Sequence, residues 1–504
     1  MVAKFTFEEV AQQAKTHRVI PVIETLFAGS VTPVGLFQKL CAGRTGAFLL
    51  ESADQGVWSR YSFIGVNARG TVTKNPNTNA VWAGGGCALP NGTNQLEPAA
   101  LGAIAQLLEA WSAPVIPGLP PLTSGLVGML GWEVIREIEH LPSAPESDYQ
   151  VPDMWFSMFS DLVIVDHETS ELHFVANLFI EDGTDDLEAA YRNASERIKQ
   201  LRKDAAKPAS PFLANSSSDG AIKWTPNQTE DAFKSAIAKA KEYIRKGDVF
   251  QVVLSQRFDI ETEASPLDVY RALRALNPSP YMYLLQQSDE SGDYAIVGSS
   301  PEALVTVNQQ HAVMHPIAGS RPRGNTVEQD QAHEKSLLAD AKERAEHLML
   351  VDLARNDLLK ICEPSSIAVT EFMAVHRFSH IMHLVSTVEG QIAKGKSAVE
   401  VFKATFPAGT LSGAPKPRAL EIIDELEPSN RGLFGGVVGY FDFAGSADLA
   451  IAIRTAFIRD GVARIQAGAG LVLDSDPESE YQETKAKASA PAKAVALAAG
   501  FETE

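Results

Sequence analysis

Short apolar runs and two-residue alternation, not long helical stripes, dominate this chain. Over the first 200 residues they predict a short amphipathic helix at 5 to 16, a strand at 18 to 27, a helix at 34 to 40, and a hairpin joining 46 to 52 with 60 to 66. A helix at 99 to 111 leads into 113 to 121, which is too rich in proline for regular structure. Residues 125 to 139 pass from a glycine-spaced strand into a helix, 154 to 166 and 171 to 179 read as an antiparallel pair, and 187 to 203 as a helix. The Ser- and Pro-rich stretch 207 to 220 is the strongest linker signal. It divides the chain into an N-terminal region 1–206, a linker 207–224 and a second region 225–504.

Beyond the linker, a helix at 229 to 246 is stopped by Gly247-Asp248, a strand follows at 249 to 258, and a helix at 267 to 276 ends in the double-proline corner Asn277-Pro278-Ser279-Pro280-Tyr281-Met282. Strands then follow at 281 to 287, 294 to 298, 303 to 308, 312 to 317, 366 to 372, 383 to 390, 435 to 443, 450 to 459 and 462 to 467. Helices are predicted at 330 to 360, 397 to 405 and 416 to 426, with a last one opening at Asp476. Hairpin-spaced strands with helices inserted in blocks point to an α+β fold of large, mostly antiparallel sheets with helices packed outside.

Composition narrows the function. Forty-four basic against 63 acidic residues give a net charge of −19, which argues against non-specific nucleic-acid binding. The first ten residues contain no apolar h-region and no window reaches ~18 uninterrupted apolar residues, so no membrane contact and a cytoplasmic setting are expected. Cys41, Cys87 and Cys362 lack C-x-x-C spacing and read as ordinary buried thiols.

Two pairs of carboxylates stand out. Asp476 is a natural N-cap and Pro477 a natural first helical residue, so Glu480 and Glu483 fall on one helix face just beyond a strand mouth. Glu343 and Glu346 repeat the spacing and run into Leu348-Met349-Leu350-Val351, a helix apolar on all sides and therefore expected to be buried. Most such pairs are solvated faces, and Glu483 has Lys487 as an i,i+4 partner. Four facing carboxylates without matching bases would nonetheless suit a hard divalent cation, most simply Mg²⁺. Around them, 315 to 324 offers a turn with exposed N–H groups, 408 to 418 a flexible loop opening a helix suited to anions, and Gly468-Ala469-Gly470 unobstructed backbone. Arg454 interrupts the apolar strand 450 to 457 and is either a surface arginine or a carboxylate clamp. Glu302 and His383 are acid–base candidates. The residues alone thus point to a Mg²⁺-assisted site for a small polycarboxylate. Glu51 and Ser52, at a strand end, suit either a turn or an ammonium group.

The chain resembles the component I family of anthranilate synthases, which are chorismate-utilising enzymes. The likeness rests on Gly247-Asp-Val-Phe-Gln-Val-Val-Leu-Ser-Gln-Arg257, Pro316-Ile-Ala-Gly-Ser-Arg-Pro-Arg-Gly324, Leu350-Val-Asp-Leu-Ala-Arg-Asn-Asp357, Gly409-Thr-Leu-Ser-Gly-Ala-Pro-Lys416 and Gln466-Ala-Gly-Ala-Gly470, in family order. Leu49-Leu-Glu-Ser52 and the double-proline corner extend it to both halves. The resemblance implies the chorismate-utilising-enzyme fold and attack of ammonia on Mg²⁺-bound chorismate, with loss of the C4 hydroxyl and then of pyruvate. By the same resemblance Glu346 and Glu483 would hold the metal, with Glu343 and Glu480 in the next rank. Glu302 would be the acid, His383 would assist elimination, and Thr410, counted with these catalytic residues, would help to hold the substrate carboxylates. Arg454, Gly319, Ser320, Gly468, Ala469 and Gly470 would hold the carboxylates, with Phe434 and Lys487 nearby. Tryptophan would bind Glu51, Ser52, Pro280, Tyr281 and Met282 as a feedback inhibitor, and a glutamine amidotransferase subunit, component II, would supply ammonia in a hetero-oligomer.

Two positions discriminate within the family. Water-adding relatives carry a lysine where this chain has Gln251, and aminodeoxychorismate synthases a lysine where it has Ala318. The competing expectations are an aminodeoxychorismate synthase and a non-catalytic tryptophan-binding scaffold. Ser320 replaces the family's usual threonine, and Phe434 a common tyrosine.

Overall fold

A computed structural model describes residues 6–41, 43–52, 60–184, 186–208, 212–217, 221–378 and 381–503. Residue 5 of the first expected helix, and residues 209–211 and 218–220 of the expected linker, lie outside the described residues. Among the described residues every strand pairing is antiparallel, and 21 strands join one branched sheet. The branch lies at Met154–Asp166. One of its edges carries Tyr61–Lys74, and the other carries Leu126–Leu130 and Glu171–Phe179 end to end. From Tyr61–Lys74 one arm runs through Phe48–Glu51, Tyr281–Asp289, Gly292–Ser300, Thr455–Arg459 and Val462–Leu471 to Gln251–Glu261. From Leu126–Leu130 the other runs through Val437–Phe441, Ala447–Ile451, Ala303–Asn308 and His311–Met314 to Ile381–Gln391, which also carries Ile317–Pro322.

Each arm starts on strands from before the linker and continues on strands from after it, so the two regions share one sheet. Within the linker, Ala214–Ser216 pairs with Phe501–Thr503 in a separate two-stranded sheet. Among the described residues no helix is long and apolar enough to cross a membrane. Cys41 and Cys362 are buried free thiols and Cys87 is half-buried.

Local chemistry explains most elements. Asp476 caps the Pro477–Ala498 helix through Ser479 N at 2.8 Å, with Pro477 in the first turn. Thr229 and Ser265 cap the helices Glu230–Lys246 and Pro266–Leu276 in the same way. Four expectations fail. The helix at 330 to 360 is two, Val327–Ala339 and Ala341–Leu359, because Asp340 leaves the helical region and its carboxylate caps Lys342 N and Glu343 N at 3.0 and 3.2 Å. The second of these is not buried all round. It packs against the Ile317–Pro322 and Ile381–Gln391 strands through one face, and Leu348 is 53% exposed. The strand at 450 to 459 breaks into Ala447–Ile451 and Thr455–Arg459 around Arg454, whose φ is 53°. The turn expected at 315 to 324 is the strand Ile317–Pro322, irregular only between Ala318 and Ser320, where Gly319 takes φ 70°.

One buried ion pair ties the arms together. Arg431 (1% exposed) bonds both Glu427 oxygens at 2.7 and 2.9 Å and donates to the carbonyls of Leu411 and Val253 at 2.7 and 2.8 Å. Its guanidinium lies 4.3 Å from the centroid of Trp132. Glu427 also accepts from Ser255 N and Oγ. Removing only the cation strands a buried carboxylate and two carbonyls, so Arg431→Met should lower unfolding free energy by about 3–5 kcal/mol. Urea denaturation checks this, and Arg431→Met/Glu427→Gln should recover part of the loss.

Candidate active site

The far ends of the two arms enclose a cavity of about 610 Å³. One wall is the Gln251–Glu261 and Val462–Leu471 strands, and the other the Ile317–Pro322 and Ile381–Gln391 strands. The helices Ala341–Leu359 and Pro477–Ala498 flank the mouth. Of the residues singled out for catalysis, substrate or metal, Glu302, His383, Thr410, Gly319, Ser320, Phe434, Arg454, Gly468, Gly470, Lys487, Glu343, Glu346, Glu480 and Glu483 all line it. Ala469 does not. Strand alternation turns its side chain into the core, where it is 0% exposed. The loop at 408 to 418 contributes Thr410 and Leu411 to the wall, and the first turn of the Lys416–Leu426 helix is absent from it. Lys416 instead pairs with buried Asp357 at 2.6 Å.

Glu302 sits at the junction of the strands Gly292–Ser300 and Ala303–Asn308. Burial raises its pKa to about 7, against the opposing pull of a hydrogen bond from Thr410 Oγ1 (3.0 Å) and the charge of Lys487. This carboxyl therefore holds its proton to a far higher pH than an ordinary glutamate. His383, on the Ile381–Gln391 strand, lines the same cavity. Nδ1 lies 2.9 Å from Gly319 O, a carbonyl that can only accept, so Nδ1 carries the hydrogen and Nε2 offers a lone pair. Burial lowers its pKa, which keeps the ring neutral. The site thus presents an acid and a base at one pH.

Arg454 reaches the cavity from the gap between strands and is no surface residue. Nη1 donates to Lys487 O at 3.0 Å, which leaves the rest of the guanidinium fork for a ligand. Opposite it, Gly470 lies against the Gln251 side chain, whose Nε2 would be 2.7 Å from any Cβ there.

The carboxylates at the mouth come from two helices. Tyr481, Thr484 and Ala488 face inward, with Gln256 Nε2 donating to Thr484 Oγ1 at 2.7 Å, so Glu480, Glu483 and Lys487 fall on the flank. Across from them, His347 is buried and bonds Ser386 Oγ at 2.6 Å, which turns Glu343 and Glu346 to the cavity. The i,i+4 contact between Lys487 and Glu483 is made, at 2.6 Å, and Glu343 lies 3.3 Å from Arg321. Among the described residues no three acidic, histidine or cysteine groups converge closely enough to hold an ion as they stand. The donor set nevertheless fits a divalent cation. The pKa of Glu346 is raised by burial and by the charges of Glu343 and Glu483, and that of Glu480 by burial and Glu483. A cation between the helices would relieve both effects.

A second cavity, of about 470 Å³, lies on the same sheet and includes Glu51, Ser52, Pro280, Tyr281 and Met282 in its lining. Ser52 Oγ donates to Pro280 O at 2.8 Å. Glu51 is engaged elsewhere: both its oxygens bond Arg274, at 2.8 and 2.9 Å, and one accepts from Tyr270 OH at 2.7 Å. Met282, its register partner, packs in the same cluster as Tyr270. Sequence reasoning missed Asp448, which lines this cavity and accepts from Thr306 Oγ1 at 3.2 Å; burial raises its pKa to about 6. A lone aspartate inside the apolar run 447 to 451 was the available signal.

Residues 45–493 match the family model described as chorismate binding enzyme. The chain is 50% identical over 475 residues to anthranilate synthase component 1 of Arthrobacter globiformis, covering 93% of this chain and 88% of that one. It is 48% identical over 474 residues to the protein of that name from Mycolicibacterium smegmatis, covering 93% and 89%. Among solved structures, anthranilate synthase component I from Streptococcus pneumoniae superposes with a TM-score of 0.73 at 34% identity, covering 87% and 93%. The menaquinone-specific isochorismate synthase of Escherichia coli, at 18% identity and TM-score 0.67 over 97% and 98%, shares the fold.

The Thr410 hydroxyl favours the charged form of Glu302, so Thr410→Val should move that carboxyl's pKa above its value of about 7. Carboxyl-stretch infrared titration of the two proteins checks the direction. A downward shift would mean that Thr410 does not stabilise the carboxylate.

Proposed function

The chain belongs to the chorismate binding enzyme family, in its anthranilate synthase component I branch, and from that premise we propose that the larger cavity converts chorismate and ammonia to anthranilate, pyruvate and water. The observation that carries the reading is one cavity shared by a carboxyl whose pKa burial raises to about 7, a histidine whose pKa burial lowers, and a half-buried arginine. Arg454 and the Gly468 and Gly470 backbone hold the substrate carboxylates, beside Gly319 and Ser320. Ammonia bonds to C2 as the C4 hydroxyl departs; Glu302, bonded by Thr410, gives that hydroxyl the proton that makes it water, and the new ammonium group gives up a proton in return. His383 Nε2 then takes the C2 hydrogen as a proton while the C3–O bond breaks, leaving the ring aromatic, and the departing enolpyruvate takes up a proton at its methylene carbon to become pyruvate. Mg²⁺ held by Glu346 and Glu483, with Glu343 and Glu480 in the next rank, would supply counter-charge to the substrate carboxylate.

Gln251 and Ala318 stand where lysines would support the water-adding and aminodeoxychorismate reactions, which favours release of pyruvate. We assign the ammonia supply to a separate glutaminase chain, in keeping with the "component 1" names of the relatives. Cys41 and Cys362 are poor nucleophile candidates, since burial raises both thiol pKa values. A cytoplasmic setting belongs to the same reading.

Purified protein given chorismate, ammonium and Mg²⁺ should form fluorescent anthranilate and equimolar pyruvate. EDTA should stop turnover, glutamine should not replace ammonium, and Glu302→Gln should cost about 10²- to 10⁴-fold in kcat. An aminated product without pyruvate would identify aminodeoxychorismate synthesis instead, and near-parental turnover by Glu302→Gln would remove the acid from the scheme.

The second cavity we assign to tryptophan as feedback inhibitor. Tyr61, Phe63, Tyr281, Tyr283 and Tyr440 line it and suit an indole, and Asp448 and the Ser52–Pro280 edge offer polar partners. Because Glu51 is paired with Arg274, Asp448 is the more available carboxylate. Filling the space with Ser52→Phe should abolish inhibition by tryptophan and leave uninhibited turnover close to parental; inhibition at the parental concentration would put the site elsewhere.

A further inference from the structure

Arg454 stands in a backbone conformation that few non-glycine residues adopt, at φ 53°. Such a residue is strained and persists only where its surroundings over-determine it. Three contacts do so here. Arg454 O accepts from Ser299 N at 3.2 Å. Thr455 Oγ1 donates to Ile453 O at 2.8 Å, closing a bridge over Arg454 from the residue after it to the residue before. The Thr455 oxygen is then held by Tyr283 OH at 2.6 Å. Since the single Thr455 hydroxyl hydrogen goes to Ile453 O, the phenol is the donor. Both side chains are buried, Tyr283 at 2% and Thr455 at 7% exposed.

Gly298 makes this reach possible. It is the register partner of Tyr283 on one side and of Thr455 on the other, and a Cβ on it would fall 2.1 Å from Tyr283 Cε2. The ring crosses the strand over the glycine and delivers its hydroxyl to the next strand but one. Tyr283 also lines the second cavity, whereas Ile453 and Arg454 line the first. One buried hydrogen bond therefore connects the wall of one cavity to the backbone that aims the arginine of the other.

We propose that Tyr283 is a positioning residue for Arg454, acting through Thr455, and that a ligand in the second cavity acts on the first by displacing this tyrosine. The proposal rests on the reading of Arg454 as a substrate-carboxylate ligand and of the second cavity as the tryptophan site. Tyr283→Phe keeps the ring over Gly298 and removes only the hydroxyl. It should raise the chorismate KM about 5- to 30-fold, the factor carried by one such bond, with kcat within about two-fold of the parent. Thr455→Val should do the same, the double variant should be no worse than either single, and Thr455→Ser should restore the parental KM. The factor by which tryptophan raises KM should fall towards one in Tyr283→Phe. A lowered melting temperature with unchanged KM, in a protein whose Arg454→Gln variant does lose affinity, would overturn the positioning role. An unchanged tryptophan factor in Tyr283→Phe would overturn the coupling. If Arg454→Gln itself leaves KM unchanged, or tryptophan does not inhibit the parent, the underlying reading of Arg454 or of the second cavity fails instead.

Discussion

The buried Arg431–Glu427 pair is the constraint on which the site depends. Taking two charges out of water is costly, and the cost is met here because the five guanidinium donors and both carboxylate oxygens are largely engaged by fixed groups. Those groups belong to different parts of the chain. Leu411 lies one residue from Thr410, which donates to Glu302; Val253 and Ser255 belong to the Gln251–Glu261 strand; Trp132 comes from the N-terminal region. A fault in this pair would loosen the acid and one wall together.

Around that fixed point burial sets the chemistry of the site's carboxyl, as a comparison with a carboxyl outside the site makes plain. Glu302 is desolvated with only a threonine hydroxyl and a distant lysine to favour its charge, so its pKa climbs to about 7. Asp330 has Arg323 and Arg377 as partners, and those contacts hold its carboxyl well below the usual range. The difference between a proton donor and a structural anion lies in burial and in the presence of a cation within bonding distance, not in the carboxyl group itself. Glu346 and Glu480 are intermediate cases, raised partly by other carboxylates, which is the electrostatic condition that a divalent ion relieves.

The branched sheet gives the two cavities common strands. Tyr281 pairs with Ser300, two residues before Glu302, while Ala303–Asn308 and Ala447–Ile451 carry Thr306 and Asp448 to the second cavity and join at Glu302 O through Ile451 N. Close-packed strands deform little along their length, so a change of side-chain position in one cavity has few places to be absorbed before the other. This suits discrete adjustments at breaks such as Arg454.

The sequence by itself determined what depends on near neighbours. The Asp476–Pro477 start, the Lys416–Leu426 helix, most strands, and the grouping of Glu302, His383, Arg454 and the four glutamates were all readable, because caps and periodicity act within a few residues and ordered motifs mark a shared site. Tertiary structure decided which way a side chain points and what it meets. The helix break at Asp340 is the exception, a local cap onto the N–H groups two and three residues on, which the periodicity of the flanking segments obscured. Leu348 stayed exposed because its helix found a sheet on one side only. Glu51 lines the second cavity, yet strand register sets it beside Tyr270 and Arg274, which engage both its oxygens. Arg454 left its strand because partners far away in sequence hold its backbone in a conformation that no local preference would select. Register, facing and strain are set by residues hundreds of positions apart, and no local pattern carries them.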